Sequence, residues 1–171
     1  NTCQVSLNFN IPEPSLVTLS AAITSDFNGQ DISCFGADDA VITINAAGGS
    51  PGNYAYSLSG SVAQAPVPPG NQLNNIAAGN YTVTAYDQNG CPSISQAINV
   101  NEPADLQINN IALISDVDCN GGANGEMLID ANGGTGNYSY FVDVLYNSSN
   151  QSPFLVSDLT AGIYPVVVSD E

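Results

Sequence analysis

The chain contains no lysine, no arginine and no histidine, so no side chain opposes the negative charge of its 16 aspartates and glutamates. Nucleic acid is excluded as a partner, because nothing can neutralise phosphates. An anionic membrane surface repels the chain for the same reason. Lysine–asparagine isopeptide cross-links are excluded, trypsin finds no site, and catalysis is restricted to carboxylates, hydroxyls or a bound metal. Tryptophan is also missing. No apolar run approaches the roughly 20 residues that span a bilayer, and no charged segment leads into an apolar core as in a secretory signal. The expectation is a mature chain without membrane insertion, any signal or anchor lying elsewhere. No stretch carries helical periodicity.

What is present points to strands. A 43% hydrophobic content supports packed cores, while Gly 16 and Pro 10 supply turns. Val41-Ile42-Thr43-Ile44, Tyr54 to Leu58, Tyr81 to Tyr86 and Ile94 to Val100 alternate with the period of two of a half-buried strand. Gly48-Gly49-Ser50-Pro51-Gly52, Gln88-Asn89-Gly90 and Ala131-Asn132-Gly133-Gly134 separate such runs with residues that tolerate positive φ.

The chain repeats itself. Cys34, Ala40 to Ile44, Gly48-Gly49 and Gly52-Asn53-Tyr54 return about 85 residues later as Cys119, Glu126 to Asp130, Gly133-Gly134 and Gly136-Asn137-Tyr138, and Ala78-Gly79-Asn80-Tyr81 returns as Ala161-Gly162-Ile163-Tyr164. Strand runs and turns over this period predict an all-β chain of two tandem immunoglobulin-like sandwiches, seven strands each. Tyr81 and Tyr164 sit where a tyrosine corner would.

A third match concerns the ends. Cys91 through Glu102-Pro103 resembles Cys3 through Glu13-Pro14, and Asp87-Gln88-Asn89-Gly90-Cys91 aligns with Asp170-Glu171 followed by Asn1-Thr2-Cys3 of another copy. Residues 1–14 read as the last strand of a preceding repeat, 15–103 as a first sandwich, and 104–171 as a second sandwich short of its last strand. The missing strand then comes from an adjacent unit, through Cys3, Val5, Leu7, Phe9 and Ile11, either in a continuous array or by head-to-tail joining of identical copies. A closed monomer, with residues 1–12 folded back on the second sandwich, is the bland alternative.

Four cysteines could be free thiols, a zinc site or two disulfides; without histidine or a Cys-x-x-Cys pair disulfides are favoured, and they imply an extracytoplasmic compartment. The repeat frame predicts Cys34–Cys91 within the chain, stabilising by about 4 kcal/mol in the chain-entropy model, and Cys119–Cys3 across the junction between units.

The Cys34-Phe35-Gly36 opening followed by Asp38-Asp39 is the first of an ordered set of motifs. Gly48-Gly49 before a tyrosine strand, Ala78-Gly79-Asn80-Tyr81-Thr82-Val83, Asp87-Gln88-Asn89-Gly90-Cys91 and Glu102-Pro103 complete it. Together they resemble the SprB-type repeats of surface adhesins from gliding Bacteroidota, over nearly the whole chain. Cys119 followed by Asn120, and Thr2 in place of the turn glycine, depart from the pattern. The resemblance implies an array on the bacterial cell surface and names no ligand.

Other chemistry is sparser. Asp38-Asp39 reads as a solvated turn rather than a glycosidase pair, so no catalytic residues are expected. Calcium would find oxygen ligands at Asp26, Asn28 and Asp31 and at the equivalent Asp116, Asp118 and Asn120. Asn80, Asn137, Asn147 and Asn150 fit the glycosylation pattern. The reading is a non-enzymatic adhesive stalk or filament. A carbohydrate-binding module, with exposed tyrosines stacking on surface glycans, is the alternative.

Overall fold

The computed structural model describes residues 2–60, 64–67, 71–143, 145–148 and 151–170, with backbone alone at 64–67 and 145–148. It is all-β. Strand β1 (Ser15–Ile23) pairs antiparallel with β2 (Ala40–Gly49), where Ala40, Ile42 and Ile44 are fully buried and the residues between them turn to the other face. That alternation is the physical content of the period-two pattern: one apolar face, one face toward water.

Strands β3 (Ala55–Gly60), β4 (Gln64–Val67) and β5 (Gln72–Ile76) follow, then β6 (Gly79–Tyr86) and β7 (Gln96–Val100). They form two antiparallel sheets, β1-β2-β5 and β4-β3-β6-β7, around a core that includes Ile42, Ile44, Leu58, Val83, Ile98 and Val100. This three-on-four sandwich is compatible with an immunoglobulin-like arrangement.

The second half rebuilds it with β8 (Gln107–Ser115), β9 (Gly125–Asn132), β10 (Tyr138–Val142), β11 (Leu145–Ser148), β12 (Phe154–Leu159) and β13 (Val166–Asp170). Its sheets are β12-β9-β8 and β11-β10-β13, three strands each. Its core holds Met127, Ile129, Tyr140, Val142 and Val156, with Tyr140 stacked on Phe154 at 4.7 Å between ring centroids. Equivalent details recur. The Tyr81 hydroxyl donates to the Ala77 carbonyl at 2.9 Å and the Tyr164 hydroxyl to the Thr160 carbonyl at 2.8 Å, the geometry of a tyrosine corner. Asn75 and Asp158 take positive φ where β5 and β12 slip register against β2 and β9.

Each sandwich has two distinct ends. Ser15 lies opposite Gly49 at the upper end and Ile23 opposite Ile42 at the lower, so the loop 24–39 closes the lower end. Strand β6 runs upward to the hairpin 87–91, where the Asp87 N–H donates to the Cys91 carbonyl, and β7 runs back down. The lower end of the first half meets the upper end of the second. The Asn28 side-chain amide donates to the Thr135 carbonyl at 2.6 Å across this junction, and inside the second half the Gly134 N–H donates to the Ala104 carbonyl at 2.7 Å where the chain enters it.

Candidate functional site

Residues 2–14 form no strand, and their apolar side chains stand in water: Val5 is 99% exposed, Leu7 92%, Phe9 86% and Ile11 83%. Gln4, Ser6, Asn8 and Asn10 alternate with them. An extended segment with one apolar edge and one polar edge is a strand lacking a sheet. Leaving four such side chains exposed forgoes roughly 1.5–3 kcal/mol each.

A matching deficit occurs in the second half. The pairing registers make Ile111 and Leu113 of β8 the counterparts of Ala21 and Ile23 of β1. Ala21 is buried and Ile23 half-buried, whereas Ile111 and Leu113 are exposed. In the first half β7 covers this face, and the Gln96 side chain bonds both the N–H and the carbonyl of Ala21, at 2.9 and 2.6 Å. Among the described residues nothing occupies the corresponding place beside β13. A groove of about 500 Å³ is left there, lined by Ile111, Leu113, Met127, Leu159 and Tyr164 among others.

The β13 edge is equipped to pair. The Asp143 N–H donates to the Pro165 carbonyl at 3.1 Å, so the backbone of Pro165 faces β10. Bonding direction alternates along a strand, so Tyr164, Val166 and Val168 turn their N–H and C=O groups to the open edge. Pro165 lacks its donor on the side where an added strand would not need it. In the first half the equivalent Ala85 carbonyl accepts from the Ser93 N–H of the descending chain at 2.7 Å.

An aspartate clamps the upper end of each sandwich, a role the sequence reading did not assign. Asp87 accepts N–H bonds from Ser50 at 2.8 Å, Asn89 at 3.0 Å and Cys91 at 2.8 Å. Those bonds hold its carboxyl below the usual carboxylate range. Asp170 does the same for the Thr135 N–H at 2.6 Å. Gly49 and Gly134 sit against these carboxylates, both at positive φ, with no room for a Cβ. The signal in the sequence was the aspartate itself, repeated 38 and 36 residues after the second glycine of its Gly-Gly turn.

The cysteine pairing requires correction. Cys3, Cys34, Cys91 and Cys119 are all free and exposed, and Cys34–Cys91 is not formed. The two lie at opposite ends of the first sandwich. Asp31 binds the Asn101 N–H at 2.9 Å and Glu102 binds the Gly36 N–H at 2.8 Å, which puts Cys34 at the lower end of β7, while Cys91 sits at its upper end beside Asp87. The run from Pro92 to Asn101, at about 3.3 Å per residue, spans roughly 30 Å, and a disulfide needs Cα atoms within about 7 Å. The same reasoning separates Cys119 from a Cys3 delivered to the upper end of the second half.

Among the described residues no three acidic, cysteine or histidine side chains gather as a metal site. Asp26 accepts from the Gly29 N–H, Asp31 from Asn101, and Asp118 from the Asn124 side chain, while Asn28 donates to Thr135. Asp116 and Asn120 are exposed. Asp39 accepts from the Ser33 N–H, as a turn residue does. Asn80 is exposed on β6 and bonded to Asn99, and Asn137 is half-buried. The Asn147 side chain and Asn150 lie outside the described residues. Every tyrosine whose side chain is described is buried or half-buried, and the side chain of Tyr146 lies outside the described residues.

The family model for the SprB repeat matches residues 27–63 and again 112–143, which are corresponding stretches of the two halves. No curated protein and no solved structure matches the chain. SprB repeats are a structural, cell-surface repeat family, and among the described residues no helix is long and apolar enough to cross a membrane.

Proposed function

Because the chain carries two SprB-type repeats, we propose that it is a non-enzymatic building block of an extracellular stalk or filament, in which units join by strand complementation. The observation that carries this reading is the uncovered face of the second half: a three-stranded sheet with an open β13 edge, above exposed Ile111 and Leu113. Residues 3–14 have the composition of the strand that fits it. Phe9 and Ile11 correspond to Ile98 and Val100, both buried in the first core, and Leu7 corresponds to Gln96. Val5 takes the place of buried Ser93, because the donor lacks the one-residue bulge of 93–96.

Leu7 would meet Ile111 where Gln96 meets Ala21, an apolar pair in place of a hydrogen-bonded one. Phe9 would lie opposite Tyr164 as Ile98 lies opposite Tyr81. The strand plays the same part whether it arrives on a neighbouring copy or in continuing chain. The acidic surface suits a spacer that keeps soluble while touching only its own kind.

Light scattering and electron microscopy of the full chain test this directly. The unaltered chain should assemble end to end, a Leu7→Asp/Phe9→Asp chain should remain monomeric, and a peptide of residues 1–14 should bind that variant. A variant that assembles as readily as the parent would sink strand complementation.

A further inference from the structure

The two ends of each sandwich carry different cysteines. The lower loop holds Cys34 in the first half and Cys119 in the second, and the upper hairpin of the first half holds Cys91. Within one sandwich the length of a strand keeps upper and lower cysteines apart. Between consecutive sandwiches they approach, because the lower end of one meets the upper end of the next. The residues around Cys34 make that contact. Asn28 of the same loop bonds the Thr135 carbonyl, and Glu102, which binds the loop at Gly36, precedes by two residues the Ala104 carbonyl bonded to Gly134. Thr135 is held by Asp170, the counterpart of the aspartate that binds the Cys91 N–H. An upper-hairpin cysteine in the second half would therefore stand over the loop of Cys34.

We propose that the lower-loop cysteine of each repeat forms a disulfide with the upper-hairpin cysteine of the repeat that follows: Cys34 with the Cys3 entering the second half, and Cys119 with Cys91 of the next copy. This rests on the strand-complementation reading, which supplies Cys3. Each bond joins two thiols with loss of two protons and two electrons, and a disulfide oxidant, such as oxidised glutathione or an oxidoreductase, is reduced to two thiols. Both bonds link the same pair of neighbouring copies, so every junction is stapled twice and no bond lies inside one sandwich. All four cysteines are exposed, as this use requires.

The test uses the full chain, mixed as unlabelled and nitrogen-15-labelled material, assembled in oxidised glutathione and cleaved with chymotrypsin for mass spectrometry. Cross-linked peptides joining labelled to unlabelled chains should pair Cys34 with Cys3 and Cys119 with Cys91. Cys34→Ser should lose the first and keep detergent-resistant multimers, whereas Cys34→Ser/Cys119→Ser should assemble natively yet run as a monomer in non-reducing detergent. Cys34–Cys91 or Cys3–Cys119 peptides, or free thiols throughout assembled material, would overturn the pairing and leave strand complementation standing. A chain that stays monomeric both with all four cysteines and with all four replaced by serine would overturn both.

Discussion

Asp170 accepts the backbone N–H of Thr135 at 2.6 Å, as Asp87 accepts that of Ser50 at 2.8 Å. The two sandwiches thus close their upper ends with one device, and at Asp87 the N–H groups of the hairpin that follows fill its second oxygen. In the complemented second half, the N–H of an incoming Cys3 would take the place that Cys91 takes at Asp87.

The pH dependence of that clamp has a definite sign. Asp87 has a depressed folded-state pKa, so its contribution is fully present above the ordinary carboxylate range near pH 4 and is lost as pH falls through the folded value. Thermal melts should show the parent above Asp87→Asn at neutral pH, with the gap closing on acidification. A gap that stays constant to low pH would show that the carboxylate's charge is immaterial.

Asp87 also acts on its neighbour. Its charge pushes the Cys91 thiol above the usual range, which lowers the thiolate fraction. Iodoacetamide should label Cys91 faster in Asp87→Asn than in the parent at slightly alkaline pH, read by peptide mass spectrometry, and equal rates would dismiss the coupling.

Hydrogen exchange should separate the two equivalent strands. The N–H groups of Tyr81 and Val83, facing β7, should be protected, while those of Tyr164 and Val166 should exchange rapidly in the monomeric Leu7→Asp/Phe9→Asp chain and slow down in assembled parent. Equal protection of the two edges in the monomer would mean that β13 is already covered.

Removing the aromatic donor should weaken assembly steeply. Phe9→Ala forfeits the burial of a large side chain, roughly 2–3 kcal/mol, so the association constant should fall by between tenfold and a few hundredfold in sedimentation measurements. A change of less than threefold would place Phe9 outside the interface.

The tyrosine corners offer a control on the fold itself. Tyr81→Phe leaves the ring in place and removes the bond to the Ala77 carbonyl, costing about 1 kcal/mol in chemical denaturation. No loss at all would make the corner ornamental.

Much of this molecule could be read before it was seen. Strands such as β2 and β6 bury every second residue, so their alternation carried both their type and the side facing the core. The repeat exposed the equivalence of Tyr81 with Tyr164, and both make the same bond. The cysteine pairing failed for a simple reason. Each strand reverses the chain, so Cys34, reached after β1, and Cys91, reached after β6, fall at opposite ends, and counting the reversals would have shown it. Of the residues expected to bind calcium, Asp26 and Asp118 also serve their own turns, accepting from the Gly29 N–H and the Asn124 side chain. The Asp87 clamp was hidden because an aspartate before an Asn-Gly hairpin looks like any turn residue.

The direction of β7 has a mechanical consequence. The first sandwich is entered at Ser15 on its upper end and left at Asn101 on its lower end, so a pull along the axis draws β7 lengthwise past β6. Such a load is shared by every rung of that ladder at once instead of peeling them one by one, which is the geometry a tether under drag requires.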